Sequence, residues 1–269
     1  MSNELKVYIS VDMEGITGVT RFDDVDRGKA GYEYFRQVMT RETNAAIEGA
    51  LAAGATHVLV RDAHDSACNL LPEELHPEAV LVSNWSGGIY GMMECIDSSF
   101  AAAVFIGNHA KANTPHAILK HTMSLGISDL RVNGVSLSEA GWNALTAGYH
   151  GVPVVFVSGD KAVCEHCQCL FPHVRTVAVK EAVGVASINL HPTKARELIR
   201  AGVEQAVRER ARCRPFTLGP SYCVEIEFSK EEKAYRGQWY PGAERVNDRT
   251  VCFRSTDFLA CLRFFDFVS

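Results

Sequence analysis

Short apolar segments of strand composition alternate along this chain with longer segments of helical periodicity, and this alternation most constrains the fold. Residues 7–11, 56–60 and 101–106 predict buried strands, whereas residues 28–53 predict a helix with apolar side chains at three- and four-residue steps. A strand–helix–strand pattern is typical of a mostly parallel sheet covered by helices. We therefore predict a three-layer α/β fold.

The second half of the chain predicts a different arrangement from about residue 181 onwards. Before that point the pattern predicts further strands over 79–82, 129–135, 153–157 and 174–180, helices over 136–149 and 161–170, and an extended segment over 117–126. After it come a helix over 193–210, strands over 222–228 and 249–254, and a terminal apolar helix. We predict a catalytic α/β domain over residues 1–180 and a smaller α+β subdomain over residues 181–269.

The charge and hydropathy of the chain limit its partners and location. The formal net charge is −5 and no tract is basic, so we expect neither nucleic acid nor an anionic membrane as a partner. The first residues lack a secretory signal pattern, and no apolar run approaches the roughly 20 residues of a membrane helix. We predict a cytoplasmic protein.

The cysteines give one candidate cluster and otherwise predict buried thiols. The chain has nine, scattered and mostly within apolar segments, which favours free thiols over disulfides. Cys164, Cys167 and Cys169 lie together with His166 and offer soft metal ligands. The second pair of a zinc-finger framework is absent, and the cluster falls in a predicted helix. A plain helix surface is therefore favoured over a structural zinc or redox site.

Polar side chains follow the predicted strands at the point where each strand ends. Asp12 and Glu14 end the first strand, His64 follows the second, and His109 follows the strand over 101–106. Open α/β sheets bind ligands at the carboxyl ends of their strands. The sequence therefore predicts one site at this edge of the sheet, to which these four residues contribute.

Asp12 and Glu14 form the most informative pair. Two residues apart in an extended segment, their carboxylates point to one side while Met13 faces the core. Adjacent carboxylates repel each other unless a cation or a shared proton neutralises them, so we hypothesise a metal. A helix cap or a solvated loop is the alternative. The Asp-x-Asp-Gly start of phosphatases that attack through an aspartate is matched only loosely, because Ile16-Thr17 fits it poorly.

His121 and Glu139 complete the set of candidate donors. Carboxylates and imidazoles without a thiolate suit zinc, manganese or another divalent transition ion. Five protein donors exceed what one catalytic zinc normally takes, whereas two ions bridged by a carboxylate would use them all.

Each of these donors also has an ordinary structural interpretation. For His64 it is a place in a polar loop, and the functional interpretation makes Asp62 a possible partner that orients its imidazole. For His109 it is a hydrogen-bonded core histidine, and for Glu139 an acid favoured by a helix dipole. His121 lies in a segment predicted to be extended, which leaves open whether it faces the core or the site.

Nine motifs in order make the chain resemble a known family. They are Ser10-Val-Asp-Met-Glu-Gly-Ile-Thr-Gly18, Asp62-Ala-His64, Gly107-Asn-His-Ala110, Thr114-Pro115, His121-Thr-Met123, Ser138-Glu-Ala-Gly-Trp-Asn143, Ala147-Gly-Tyr149, Val152-Pro-Val154 and Gly159-Asp160. This set resembles the DppA-type zinc-dependent D-aminopeptidases over nearly the whole chain, more weakly after about residue 180. The resemblance implies large ring-like homo-oligomers that enclose their active sites.

The resemblance also implies specific residue roles. Two zinc ions per subunit would be held by five ligands with Asp12 as the bridge, namely Asp12, Glu14, His64, His109 and Glu139. His121 would be the catalytic histidine beside the metals. The segment between His109 and His121 is one residue longer than the family pattern, which leaves His116 as an alternative. We favour His121 because His-Thr-Met matches the family.

The predicted function is therefore a metallo-aminopeptidase that removes the amino-terminal residue of short peptides, with a D-residue preference that the resemblance alone implies. Zinc would make hydroxide available near neutral pH, and His121 would move protons or stabilise the oxyanion. One alternative is another metallohydrolase on the same scaffold, such as an amidase or an L- or β-peptide aminopeptidase. The other is a non-catalytic peptide-binding protein.

Overall fold

A computed structural model describes residues 4–269, which form two sheets and six α-helices. The strands are β1 (Lys6–Val11), β2 (His57–Asp62), β3 (Ala79–Val82), β4 (Ala102–Asn108), β5 (Ile127–Val132), β6 (Val135–Ser136), β7 (Val154–Asp160), β8 (Arg175–Val183), β9 (Ala186–Asn189), β10 (Tyr222–Phe228), β11 (Ala243–Arg245) and β12 (Thr250–Ser255). The helices are α1 (Tyr32–Ala52), α2 (Glu139–Tyr149), α3 (Lys161–Leu170), α4 (Pro192–Arg208), α5 (Glu231–Gly237) and α6 (Phe258–Val268).

The larger sheet has seven strands in the order β3-β2-β1-β4-β7-β8-β9. All neighbouring pairs are parallel except β8 and β9, which form an antiparallel hairpin at one edge. The first strand lies between β2 and β4, so the segments that follow these three strands emerge side by side. The predicted α/β fold with a mostly parallel sheet is confirmed.

Two apolar cores cover the two faces of this sheet. On one face α1 and α4 pack against each other and against the strands. Their core includes Val7, Ile9, Val60, Ile106, Met39, Ile47, Ile199 and Val203. On the other face α2, α3 and the smaller sheet share a second core, which includes Tyr8, Phe105, Leu130, Leu145, Val163, Val224, Ile226 and Phe258. The sheet is therefore buried on both faces, as parallel sheets generally are.

The smaller sheet is antiparallel, with the order β11-β12-β10-β5-β6. It combines residues 127–136 from the middle of the chain with strands that follow residue 221. Residue 180 falls inside β8, while β9 and α4 belong with the larger sheet. Strands of the smaller sheet thus come from both sides of the predicted boundary, and the division into two domains at residue 180 stays a prediction.

The predicted extended segment over 117–126 is wrong. The chain there forms an irregular loop with one isolated bridge, between Thr122 and Ser124. Leu119 and Met123 have backbone φ angles of 49° and 62°, in the left-handed region, so side chains do not alternate as in a strand. The apolar residues that suggested a strand instead turn inward from a loop.

The cluster of Cys164, Cys167 and Cys169 lies on α3, as predicted. The favoured interpretation as a plain helix surface is wrong for Cys164 and Cys167, which are buried in the core, and holds for Cys169, which is exposed. Burial raises the pKa of the Cys164 thiol to about 12, which disfavours the thiolate that a metal ligand requires.

Within residues 4–269, no helix combines the length and apolar character that crossing a membrane needs.

Two glycines allow β1 and β4 to approach closely where they end. The Gly15 amide donates to the carbonyl of Gly107 at 2.7 Å, and a Cβ on Gly15 would lie 1.8 Å from the carbonyl oxygen of Asn108. Gly107 has a φ of +70°, and a Cβ there would meet the carbonyl of Asp12 at 2.1 Å. Side chains at either position would push the two strand ends apart.

We expect Gly15→Ala to destabilise the metal-free protein by about 3 kcal/mol or more, because the obstacle is backbone that cannot move aside. The matched control is Gly126→Ala, whose Cβ would meet only the Ser124 hydroxyl, at 3.3 Å. That control should cost less than about 1 kcal/mol. Chemical denaturation of both variants measures the difference, and equal losses would contradict the close-approach explanation.

Candidate metal centre

Three strand ends bring four of the predicted residues together. Asp12 and Glu14 follow β1, His64 follows β2, and His109 follows β4. Since β1 pairs with β2 on one side and β4 on the other, their carboxyl ends meet at one edge of the sheet. All four side chains are at least nine-tenths buried. The site predicted at this edge is therefore present as a cluster.

Glu139 reaches the same cluster from the start of α2. Ser138 caps this helix, its hydroxyl accepting a hydrogen bond from the Gly141 amide at 3.2 Å. The Glu139 carboxylate accepts a hydrogen bond from the Met123 amide at 2.6 Å. Glu139 lies in the first turn of α2, as predicted, although the helix begins at residue 139 rather than 136; its carboxylate is buried and joins the loop to the site.

His121 enters the site from the irregular loop. Its Nδ1 lies 2.8 Å from the carbonyl oxygen of Leu119, which indicates that Nδ1 carries a proton and that Nε2 faces the cluster. Its ring stacks on that of His109, with centroids 4.1 Å apart and an interplanar angle of 16°. Two contacts therefore fix the orientation of this imidazole.

The closest contacts join histidine nitrogens to carboxylate oxygens. Nδ1 of His64 lies 3.3 Å from Asp12 Oδ1 and 3.0 Å from Glu14 Oε2. Nε2 of His109 lies 3.5 Å from Asp12 Oδ2 and 3.3 Å from Glu139 Oε1. The two oxygens of Asp12 thus face different histidines.

Nε2 of His121 is more distant from the carboxylates. It lies 3.5 Å from Glu139 Oε1 and 3.8 Å from Glu14 Oε1. Its side chain is also more exposed, at 13%, than the 6% and 1% of His64 and His109. His121 is therefore the histidine that a bound substrate can reach most directly.

Backbone carbonyls orient the two buried histidines. Nε2 of His64 donates to the carbonyl of Val25 at 3.1 Å, and Nδ1 of His109 donates to the carbonyl of Ala110 at 3.0 Å. A proton held at one ring nitrogen leaves the lone pair of the other nitrogen free to bind a metal. Both imidazoles present that free nitrogen to the carboxylates.

Asp62 does not orient His64, contrary to our prediction. Its carboxylate accepts hydrogen bonds from the amides of Asn69 and Leu70 and from the Asn69 side chain. The Asn69 side chain also donates to the carbonyl of His64, at 2.6 Å. Asp62 therefore organises the loop that carries His64. The imidazole is oriented instead by Val25, and because Val25 acts through its backbone carbonyl, the sequence offered no signal for it.

The charges in the cluster interact strongly because water is excluded. Burial and the neighbouring Glu14 carboxylate raise the pKa of Asp12 to about 8. Burial alone would raise the pKa of Glu14, but the charge and hydrogen bond of His64, together with the charge of His109, hold that pKa well below its usual range. Burial opposes protonation of His64 and His109, yet the carboxylates raise the pKa of both well above the ordinary value. The cluster therefore attracts positive charge.

The donor atoms fall into three overlapping groups that suit metal ions. They are Asp12–Glu14–His64, Asp12–His109–Glu139 and Glu14–His109–His121, and within each group the donor atoms lie within 4.8 Å of one another. Asp12 Oδ2, Glu14 Oε2 and His109 Nε2 are buried without a hydrogen-bond partner among the described residues. Buried polar atoms are rarely left in this state, so these atoms fit a cation. Nitrogen and oxygen donors match zinc and similar divalent ions.

A cleft of about 410 Å³ opens onto the cluster. Its walls include Phe22, Trp85 and Leu125, which are apolar and partly exposed, and Asp26 and Asp65, which are acidic. A cleft that joins buried donor atoms to apolar walls is typical of a site for a small molecule. The cleft is large enough for a short peptide segment rather than a folded protein.

Comparison with known families identifies the relationship. The family model described as D-aminopeptidase, peptidase family M55, matches residues 5–267. The chain belongs to the D-aminopeptidase family. The resemblance inferred from the ordered motifs is therefore confirmed.

Two relatives in the D-aminopeptidase family illustrate how far the similarity extends. A D-aminopeptidase of Bacillus subtilis (strain 168) is 38% identical over 259 residues, which are 95% of this chain and 93% of the relative. The solved structure of the Zn-dependent D-aminopeptidase DppA from Bacillus subtilis, described as a self-compartmentalizing protease, has a TM-score of 0.93 at 36% identity. The match covers 97% of this chain and 95% of that one.

Within this D-aminopeptidase fold, His116 lies apart from the cluster. It has a φ of 53° and lines a separate groove with Asp160 and Glu165. Of the two histidines considered for the catalytic role, only His121 lies beside the candidate ligands. Placement therefore favours His121, although its role stays a prediction.

Sequence reasoning missed Lys180, which lies within β8, at the last position where β8 pairs with β7, and is 3% exposed. Burial lowers the pKa of its ammonium to about 8. A single lysine that ends the apolar run Val177-Ala178-Val179 is the same kind of signal that identified Asp12 and His109. A lysine ammonium is not a metal donor, so the donor chemistry that identifies the other strand-end residues does not identify Lys180.

Proposed function

We propose that the protein is a zinc-dependent aminopeptidase that removes the amino-terminal residue of short peptides, with preference for D-residues of the D-alanine type. The observation that carries this proposal is the cluster in which Asp12 belongs to two of the three donor groups. Membership of the D-aminopeptidase family and the zinc dependence of the similar Bacillus subtilis enzyme support the metal and the substrate class.

We assign two zinc ions to the cluster. One would be held by Asp12, Glu14 and His64, and the other by Asp12, His109 and Glu139. Asp12 offers one oxygen to each set, which supports its role as the bridge. Five donors distributed in this way satisfy two ions, whereas a single catalytic zinc normally has three protein ligands. The proposal accounts for every buried carboxylate in the cluster.

The residues around the ions would have distinct tasks in peptide hydrolysis. Bound zinc supplies Lewis acidity, lowering the pKa of water toward neutrality and polarising a carbonyl. Because Nδ1 of His121 donates its proton to the Leu119 carbonyl, Nε2 would accept a proton from the attacking water and pass it to the leaving amine. Asp26 and Asp65 would favour a positively charged amino terminus at the cleft by electrostatic attraction.

We also propose a ring-shaped homo-oligomer in the cytoplasm. The self-compartmentalizing character of the similar Bacillus subtilis protease supports an assembly that encloses its active sites. The net charge of −5 supports an absence of nucleic-acid and membrane partners.

Metal analysis combined with a substrate panel tests the proposed function. We expect about two zinc ions per chain after dialysis, and release of D-alanine from D-Ala-D-Ala and D-Ala-amide. L-Ala-L-Ala and β-alanyl peptides should react poorly under the same conditions. Cleavage of the L- or β-peptides instead would favour another metallohydrolase, and peptide binding without metal or turnover would favour a non-catalytic protein.

A further inference from the structure

Lys180 is a buried lysine whose ammonium contacts the backbone of the segment that carries Glu14. Its Nζ donates hydrogen bonds to the carbonyl oxygens of Glu14 and Val19, the latter at 2.7 Å. Both acceptors lie more than 160 residues away in sequence, in the segment that leaves β1. Burying an ammonium costs free energy unless its hydrogens are bonded, so this placement requires strong partners.

The segment that carries Glu14 has other anchors further along. The Thr17 amide donates to the buried Glu42 carboxylate at 3.1 Å, and the Thr17 hydroxyl donates to the carbonyl of Leu190 at 2.7 Å. The Gly18 amide donates to the Asn189 side chain at 3.1 Å. These anchors hold residues 17 and 18 against α1 and the β8–β9 hairpin. Among side-chain hydrogen bonds of the described residues, only the one from Lys180 reaches the backbone of Glu14 itself.

Lys180 also lies beside Asp160, the residue that holds the backbone next to a second candidate ligand, His109. It pairs in sheet register with Asp160, whose charge acts on the ammonium. The Asp160 carboxylate accepts a hydrogen bond from the Ala110 amide at 2.7 Å and another from the Val163 amide at 2.8 Å. Ala110 directly follows His109, so Asp160 fixes that ligand's backbone independently of Lys180. The carbonyl of Glu14 has no such alternative support from a side chain.

We propose that Lys180 is a positioning residue of the metal site, which holds the backbone of Glu14 so that its carboxylate faces Asp12 and His64. This inference rests on the proposed two-metal function. A compact ammonium suits the task because it carries three donors and can bond two carbonyls at once. Without the ammonium, the carbonyls of Glu14 and Val19 would lose this donor, and Glu14 would lose its cross-link to β8.

Zinc affinity measured by competition with a chromogenic chelator tests this role, using Lys180→Met. We expect one of the two zinc sites, the one to which Glu14 contributes, to weaken about 10- to 100-fold. The site formed by Asp12, His109 and Glu139 should keep nearly wild-type affinity. A loss of packing alone would weaken both sites together, so the unequal effect distinguishes positioning from general destabilisation.

The matched control is Lys161→Met. Lys161 lies on the same edge of the sheet but is half exposed and pairs with Glu181. The Lys161→Met variant should therefore bind zinc at both sites with unchanged affinity. If Lys180→Met does not fold, Lys180→Gln, which keeps a donor, is compared with Lys161→Gln in the same assay. Wild-type affinity at both sites of the folded Lys180 variant, or equal weakening of both, overturns the inference. A wild-type chain that binds no zinc contradicts the proposed function as well.

Discussion

Replacing Asp12 by alanine is expected to remove both metal ions and to abolish peptide hydrolysis. The two oxygens of this carboxylate face different histidines, at 3.3 Å and 3.5 Å, and the residue belongs to two of the three donor groups. Removing it leaves each proposed ion with two protein ligands, fewer than a catalytic zinc normally has. Elemental analysis after dialysis against a weak chelator measures the zinc content, and D-Ala-D-Ala hydrolysis measures the activity.

Glu14→Ala is the matched variant for this experiment. Its carboxylate is absent from the group formed by Asp12, His109 and Glu139, so this variant should retain about one ion. Asp26→Asn changes an acid at the cleft that belongs to no donor group and should retain both ions. An Asp12 variant with the zinc content of the wild type would contradict the bridging role.

Replacing His121 by alanine should abolish most turnover while leaving the zinc content largely intact. Its Nε2 is 3.5 Å and 3.8 Å from the nearest carboxylates and belongs to only one donor group. The ring is held by Leu119 and His109 and is partly exposed to the cleft. Loss of a general acid–base residue typically costs about 100- to 10,000-fold in rate. Steady-state kcat and the zinc content of the same preparation are the two measurements.

His116→Ala provides the control for His121. Both residues lie in the same irregular part of the chain, but His116 lines a different groove. We expect His116→Ala to keep kcat within about twofold of wild type, as surface changes away from a site usually do. If His121→Ala loses zinc, the residue is a ligand in the group with Glu14 and His109. If His116→Ala loses turnover instead, the two histidines exchange roles.

The meeting of four site residues at the strand ends was predictable because each residue directly follows its strand, so the position of the strand fixes the position of the residue. Asp12 and Glu14 follow an apolar strand, and His64 and His109 follow its two neighbours. Parallel strands deliver their following residues to one edge whatever the loops do. Alternation of strands and helices is therefore sufficient to predict that these four residues meet.

Loop conformation and distant strand pairing could not be predicted in the same way. His121 lies between two residues with left-handed φ angles, and nothing in their side chains requires that conformation. The smaller sheet joins β5 to β10, about 95 residues later, through backbone hydrogen bonds that carry no sequence signal. An apolar face shows that an element is covered but does not show which element covers it, so the packing of α4 against α1 could not be predicted.

The smaller sheet makes the position of Glu139 depend on strands from the last part of the sequence. Glu139 follows β5 and β6 almost directly, and β5 is held in place by β10. Without the last 50 residues or so, β5 and β6 would form an isolated two-stranded ribbon, which is marginally stable in water. A truncation or frameshift that removes β10 would thus behave as a metal-binding lesion, although β10 lies far from every candidate ligand in sequence.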